Sequence, residues 1–304
     1  MNLDECDRIF QKATNSTSEA EFLYIIDPLF KHYKILSLEY GRGSIFWRAR
    51  AIENEPYSNL SEMDYPPPHL AKVGRLNETG SPCFYIAAKK ETALAEVNSK
   101  EGQLIQLAGF RILKEETLHL AVIGEYSNVQ KNGYMHFAGR DPDLTISKLI
   151  NSAPRAEALR TIYIDKFFSH ILADPSAAGN NYLFSRALTQ SIYSRNSSKA
   201  LAFPSVKDKG GFNIGVMPKE SDKVFHNASC IIVRVGKPRQ FGLLEFEVIR
   251  SAKYLDASNN FVWDDSTSPE TIGIYGLTKE EHAAALSNQN DPNNLLNLLH
   301  NKRN

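Results

Sequence analysis

The chain has 304 residues, 42% hydrophobic and 23% charged, the proportions of a globular protein whose core can form without disulfides or a structural metal. Its 35 basic and 35 acidic residues cancel, which argues against a dedicated nucleic-acid binder with a basic face but allows a local basic pocket for a phosphorylated ligand. Three scattered cysteines, Cys6, Cys83 and Cys230, form no CxxC or Cys/His cluster, so no metal site is expected and the count suits a reducing compartment.

The first ten residues, MNLDECDRIF, lack the basic and apolar regions of a secretory signal. No run of about 18 apolar residues marks a membrane span. The expectation is a protein that acts in a cytoplasm, its own or that of a cell into which it is delivered without a cleaved signal.

In chain order, residues 3–35 read as helical. Ser18 and Glu21 have capping-box spacing, and Phe22, Ile25, Ile26 and Leu29 recur at helical intervals. SIFWRARA (44–51) reads as a strand, and 54–82, dense in Pro, Gly, Asn and Ser, as a long loop. A buried strand, CFYIAA (83–88), leads at once into a helix over 89–99 rich in strong helix formers. Strands at 104–113 and 118–124 follow, then helices over 155–172 and 181–195 separated by ADPSAAGNN. LAFPSV (201–206) and FNIGVMP (212–218) read as short strands around the turn KDKGG. A strand pair within 230–255 precedes a polar tail with a helical stretch, KEEHAAALS (279–287). The class is α+β.

Four stretches can carry chemistry, and each also has a plainer reading. On the strand Phe46–Arg50, alternation puts Trp47 and Ala49 on one face and Arg48 and Arg50 on the other. That second face is either solvated or an arginine fork reaching into a pocket. Arg75 and Asn77 lie between Gly74 and Gly80, in an ordinary polar turn or one whose arginine clamps a pyrophosphate. Tyr85 sits on the buried strand, and Glu96 lies beside the apolar helix face of Ala93, Leu94 and Val97. A carboxylate there is costly unless paired or functional. Ser205, before Gly210 and Gly211, either caps its own turn or presents its hydroxyl to a cleft. There is no P-loop, no GxGxxG before a helix, no HExxH and no GxSxG, and the eight histidines are scattered.

Taken in order, these stretches resemble one family. GRLNETGSPCFYIAAKKETALAEV (74–97) is similar to the RES-domain signature, and FPSVKDKGGFN (203–213) to its later serine segment. The family's arginine, glutamate and serine fall on Arg75, Glu96 and Ser205, its strand tyrosine on Tyr85, and the arginine of its opening strand on Arg48. Leu76 stands where an aromatic is usual, and 125–200 is longer than in compact members.

The resemblance implies a mixed or antiparallel sheet core like that of ADP-ribosyltransferases, flanked by helices. It covers roughly residues 44–220, so the expected organisation is a helical segment at 1–40, a catalytic domain at 41–220 and C-terminal strands and a polar helical tail at 221–304, the first and last without an obvious counterpart in the family. It implies a toxin or effector that cleaves the nicotinamide–ribose bond of NAD+ by hydrolysis or phosphorolysis, without a metal. Catalysis would fall to Glu96, Arg75, Tyr85 and Ser205, and NAD+ binding to Arg48, Arg75, Tyr85, Asn77 and Ser205. Arg75, Tyr85, Glu96 and Ser205 are then expected to face one cleft. An Xre-type antitoxin or an immunity protein is the expected partner, with no direct binding to nucleic acid or membrane. The alternatives are ADP-ribosyl transfer to a protein and an inactive RES-like binding module.

Overall fold

The structure is a computed structural model that describes residues 1–43, 45–239 and 244–264. The helical stretch expected at 279–287 lies outside the described residues. In chain order the elements are α1 (Leu3–Thr14), α2 (Glu19–Ile26), β1 (Leu36–Tyr40), β2 (Phe46–Ala51), β3 (Phe84–Ala87), α3 (Lys90–Glu96), β4 (Leu104–Ile112) and β5 (Leu118–Val122). Then come α4 (Tyr126–Asn132), α5 (Thr145–Ser152), α6 (Arg155–Leu172), α7 (Leu183–Arg195), β6 (Ala200–Pro204), β7 (Phe212–Val216), α8 (Pro218–Val224), β8 (Phe225–Pro238), β9 (Leu244–Leu255) and β10 (Phe261–Asp264). The fold is α+β with mixed strand pairing. Sequence patterning finds most of these elements but not β1, α4, α5, α8 or β10.

The chain divides into two compact units. The first comprises Met1–Glu39, Tyr65–Ile86 and Leu118–Ser221. Its strands run in the order β1-β5-β6-β7-β3, with β5 and β6 parallel and β6 and β7 an antiparallel hairpin. Helix α6 turns Ile164, Phe168 and Ile171 inward at helical spacing. The N-terminal helices pack on this unit's helices: Phe10 of α1 stacks on Phe167 at 4.1 Å, and Phe22 of α2 on Phe184 at 4.9 Å. Ser18 caps α2 by accepting the Glu21 N–H, whereas the Glu21 carboxylate takes the N–H of Thr17 rather than completing a reciprocal box with Ser18.

Among the described residues, the second unit comprises Tyr40–Asp64, Ala87–Thr117 and 222–264. Its strands run β2-β4-β8-β9-β10, every pair antiparallel. Helix α3 covers β2 and β4, burying Ala93 and Leu94 against Trp47, Ile105, Leu107 and Val233. Burial of one such Leu side chain contributes about 2 kcal/mol. The loop after β2 is tied to this sheet. Gln106 accepts the Tyr57 N–H at 2.9 Å and donates to the Tyr57 carbonyl at 3.1 Å, and Asn59 bridges to Asn260.

Candidate active site

The loop before β3 is built around one hydroxyl. The Gly74 N–H donates to the Asn77 carbonyl at 3.0 Å, closing a tight turn. Tyr85, pointing back from β3, donates its hydroxyl to Asn77 Oδ1 at 2.9 Å and accepts the Leu76 N–H at 2.9 Å. Asn77 Nδ2 completes the set by donating to the carbonyls of Lys72 and Glu78, each at 2.9 Å. Burial pushes the Tyr85 phenol well above its usual pKa. Some of the residue reaches the surface, but the hydroxyl is taken up by the loop. It ties the turn at 74–77 to β3.

Gly74 has no substitute in this arrangement. A Cβ there would lie 2.6 Å from Asn77 Oδ1 and 2.9 Å from the Tyr85 hydroxyl. Gly74→Ala is therefore expected to force both groups apart and to cost about 1–3 kcal/mol of stability. The check is a urea unfolding curve, and an unchanged midpoint would show that the loop adjusts freely. Leu76 packs on Gly215 of β7. A Cβ on Gly215 would fall 2.2 Å from Leu76 Cδ1, so the two residues fit one close approach.

Arg75 leaves this turn toward the end of α6. One guanidinium nitrogen donates to the Leu172 carbonyl at 3.3 Å, and the guanidinium carbon stands 5.4 Å from the centroid of the Tyr182 ring. Leu172 ends α6, so Arg75 satisfies one of the carbonyls that a helix end leaves without a partner. Tyr182 and Asn181 both adopt left-handed backbone, with φ of 57° and 55°. Asn tolerates that region, whereas at an aromatic residue it costs about 1–2 kcal/mol.

Ser205 lies in the same unit, in the β6–β7 turn. Its Oγ accepts the N–H groups of Lys207 and Asp208 at 3.1 and 3.0 Å, and its N–H donates to the Gly211 carbonyl at 2.8 Å. The plainer sequence reading, a serine capping its own turn, thus describes these bonds.

The other two expected residues belong to the second unit. Arg48 lies on β2 opposite Ala108, beside Trp47, which pairs with Ala87 and Gly109. Glu96 is the last residue of α3 and is partly exposed, two positions beyond the buried run of Thr92, Ala93 and Leu94. A carboxylate at the C-terminal end of a helix meets the negative end of the macrodipole. Helix formation therefore gives no reason for Glu96 to be acidic.

Residues 45–235, well over half of the chain, match the RES domain family. The chain belongs to the RES domain family. No curated protein matches it. Among solved structures, it is similar to a chain of the crystal structure of the M. tuberculosis MbcT–MbcA toxin–antitoxin complex. That match has 9% identity and a TM-score of 0.29, and covers 68% of this chain and 90% of that one. The RES match includes Arg48, Arg75, Asn77, Tyr85, Glu96 and Ser205. In this RES domain, Arg75, Asn77 and Tyr85 are brought together in one hydrogen-bonded loop.

Among the described residues of the RES domain and its flanks, no group of three or more His, Cys, Asp or Glu could hold a metal ion. No described helix is long and apolar enough to cross a membrane.

Sequence reading missed two buried carboxylates that organise the first unit of this RES domain. Asp165 of α6 accepts the Tyr33 hydroxyl at 2.7 Å and the N–H groups of Gly124 and Tyr126 at 2.9 and 3.0 Å. Glu125 accepts from Asn128 and from the N–H groups of His136 and Phe137. An acid between Ile164 and Phe168, in an otherwise apolar stripe, was the available signal for Asp165.

Burial pushes the Asp165 carboxyl up to about 6. Unfolded, an aspartate titrates near 4, so the folded state holds this proton more tightly. The stability this group contributes is fully present below about pH 4 and is lost as pH rises through about 6. Asp165→Asn is expected to remove that slope from urea unfolding measured between pH 4 and 7. Identical slopes in the two proteins would refute the assignment.

Proposed function

We propose that this RES domain breaks the nicotinamide–ribose bond of NAD+ and serves as a toxin or effector that depletes the dinucleotide. The observation that carries the reading is the family match spanning Arg48, Arg75, Tyr85, Glu96 and Ser205 in signature order. In the reaction the C1′–N bond breaks and its electron pair leaves with nicotinamide, which departs neutral. No strong general acid is needed. Positive charge develops on the ribose, as in glycoside hydrolysis, and requires an anion nearby.

Glu96 suits that anion. Arg75 and Arg48 suit the pyrophosphate, whose oxygens match a guanidinium fork. Tyr85 and Asn77 hold the loop that carries Arg75, so their support for NAD+ binding runs through that arginine. Ser205 suits a hydrogen bond to ribose or carboxamide. Water or phosphate then takes the ribosyl carbon, and water gives up a proton in doing so.

The test is nicotinamide release from NAD+ by purified protein. ADP-ribose as co-product identifies hydrolysis, and a phosphorylated ADP-ribose formed only in phosphate buffer identifies phosphorolysis. Label transferred to protein instead would reassign the activity, and no release at all would end the proposal. As a cytoplasmic toxin the protein would need restraint by an Xre-type antitoxin or an immunity protein. Growth arrest on expression, relieved by a small helix-turn-helix protein encoded beside it, would test that partner.

A further inference from the structure

We infer that Tyr182, at the start of α7, is a positioning residue that holds the Arg75 guanidinium ready for the substrate's anionic group. The inference rests on the NAD+ reading above. The ring face, not the hydroxyl, is the working part. The guanidinium lies 5.4 Å from the ring centroid, and no hydrogen bond involves the Tyr182 hydroxyl among the described residues. An arginine over an aromatic face gains electrostatic attraction and loses freedom to search other rotamers.

The backbone is shaped for this contact. Tyr182 has φ 57° and ψ 27°, where glycine would be free of strain. Its N–H donates to the Ala177 carbonyl at 2.7 Å, and its carbonyl accepts from the Arg186 N–H and the Ser185 hydroxyl. A bulky ring kept in a disfavoured conformation points to use of the ring.

A second tie runs the other way. Arg186 donates through Nε to the Asn181 carbonyl at 2.9 Å and forms an ion pair with Glu78, three residues after Arg75. The segments around 75–78 and 172–186 thus grip each other at two points. Arg75 is pinned by the Leu172 carbonyl on one edge and by Tyr182 on its face, which leaves other N–H donors for a ligand.

The experiment compares kcat and KM for NAD+ in wild type, Tyr182→Phe, Tyr182→Leu and Tyr182→Gly, and repeats Tyr182→Leu in an Arg75→Ala background. Tyr182→Phe keeps the ring face and should match wild type. Tyr182→Leu should raise KM about threefold or more, with kcat within about twofold. Tyr182→Gly should show the same KM while melting no lower than Tyr182→Leu, since it takes the left-handed backbone without strain. In the Arg75→Ala background, Tyr182→Leu should have no further effect. A wild-type KM in Tyr182→Leu, or an equal penalty with and without Arg75, overturns the role of Tyr182 alone. Absence of nicotinamide release from the wild type overturns the NAD+ reading and this inference with it.

Discussion

Glu96→Gln is expected to slow nicotinamide release by at least about a hundredfold, the scale of one preorganised electrostatic group. The substitution keeps the side chain's size and hydrogen-bonding reach and removes only the charge. The developing ribosyl cation exists in the transition state and not in bound NAD+. The loss should therefore appear in kcat, with much less change in NAD+ binding. Stability gives the control. Glu96 ends α3 and is partly exposed, so a melting curve of the variant shows whether the fold itself is intact. Full turnover in Glu96→Gln would reject the role. A fall in kcat accompanied by a lower melting temperature would point to damage rather than chemistry.

The second large effect is expected at Arg75. Charge-assisted hydrogen bonds contribute about 1.5–3 kcal/mol each, so Arg75→Ala should lower kcat/KM for NAD+ by roughly ten- to a hundredfold. KM should rise first, and kcat should also fall if the grip on the pyrophosphate aligns the ribose. Arg75→Lys keeps the charge but loses the fork and the flat face over Tyr182, so its activity should fall between the two. Arg75 also donates to the Leu172 carbonyl, so a modest loss of stability is expected in both variants. Its size is checked by urea unfolding. Equal kcat/KM in wild type and Arg75→Ala would place this arginine outside the site and pass the phosphate role to Arg48.

The elements bearing the RES signature were legible because their signals are local. The apolar strand at 84–87 runs straight into strong helix formers, and α6 and α7 announce themselves by helical spacing. The order of Arg75, Tyr85, Glu96 and Ser205 identified the family. Other features were not legible because long-range side-chain bonds make them. The segment around α4 and α5 is organised by Glu125 reaching the N–H groups at 136 and 137 and by Asp141 capping those of Ile146 and Ser147. Neither reach leaves a periodic trace. Tyr85 reads in sequence only as a tyrosine on a buried strand, and nothing there shows that its hydroxyl reaches back eight residues to hold the loop. Tyr182 gave no signal either, because left-handed backbone is not expected at an aromatic residue.

The interleaving of the two units sets the order in which the protein can assemble on the ribosome. Strand β4 pairs with β2 soon after both are made, but its other neighbour, β8, is complete only at Pro238. At roughly 5–20 residues per second, that edge of β4 waits on the order of ten seconds for its partner. A nascent chain halted before Phe225 therefore exposes an unpaired strand rich in Leu, Ile and Phe, the kind of edge that recruits other chains. Likewise the first unit cannot close until β6 and β7 have been translated.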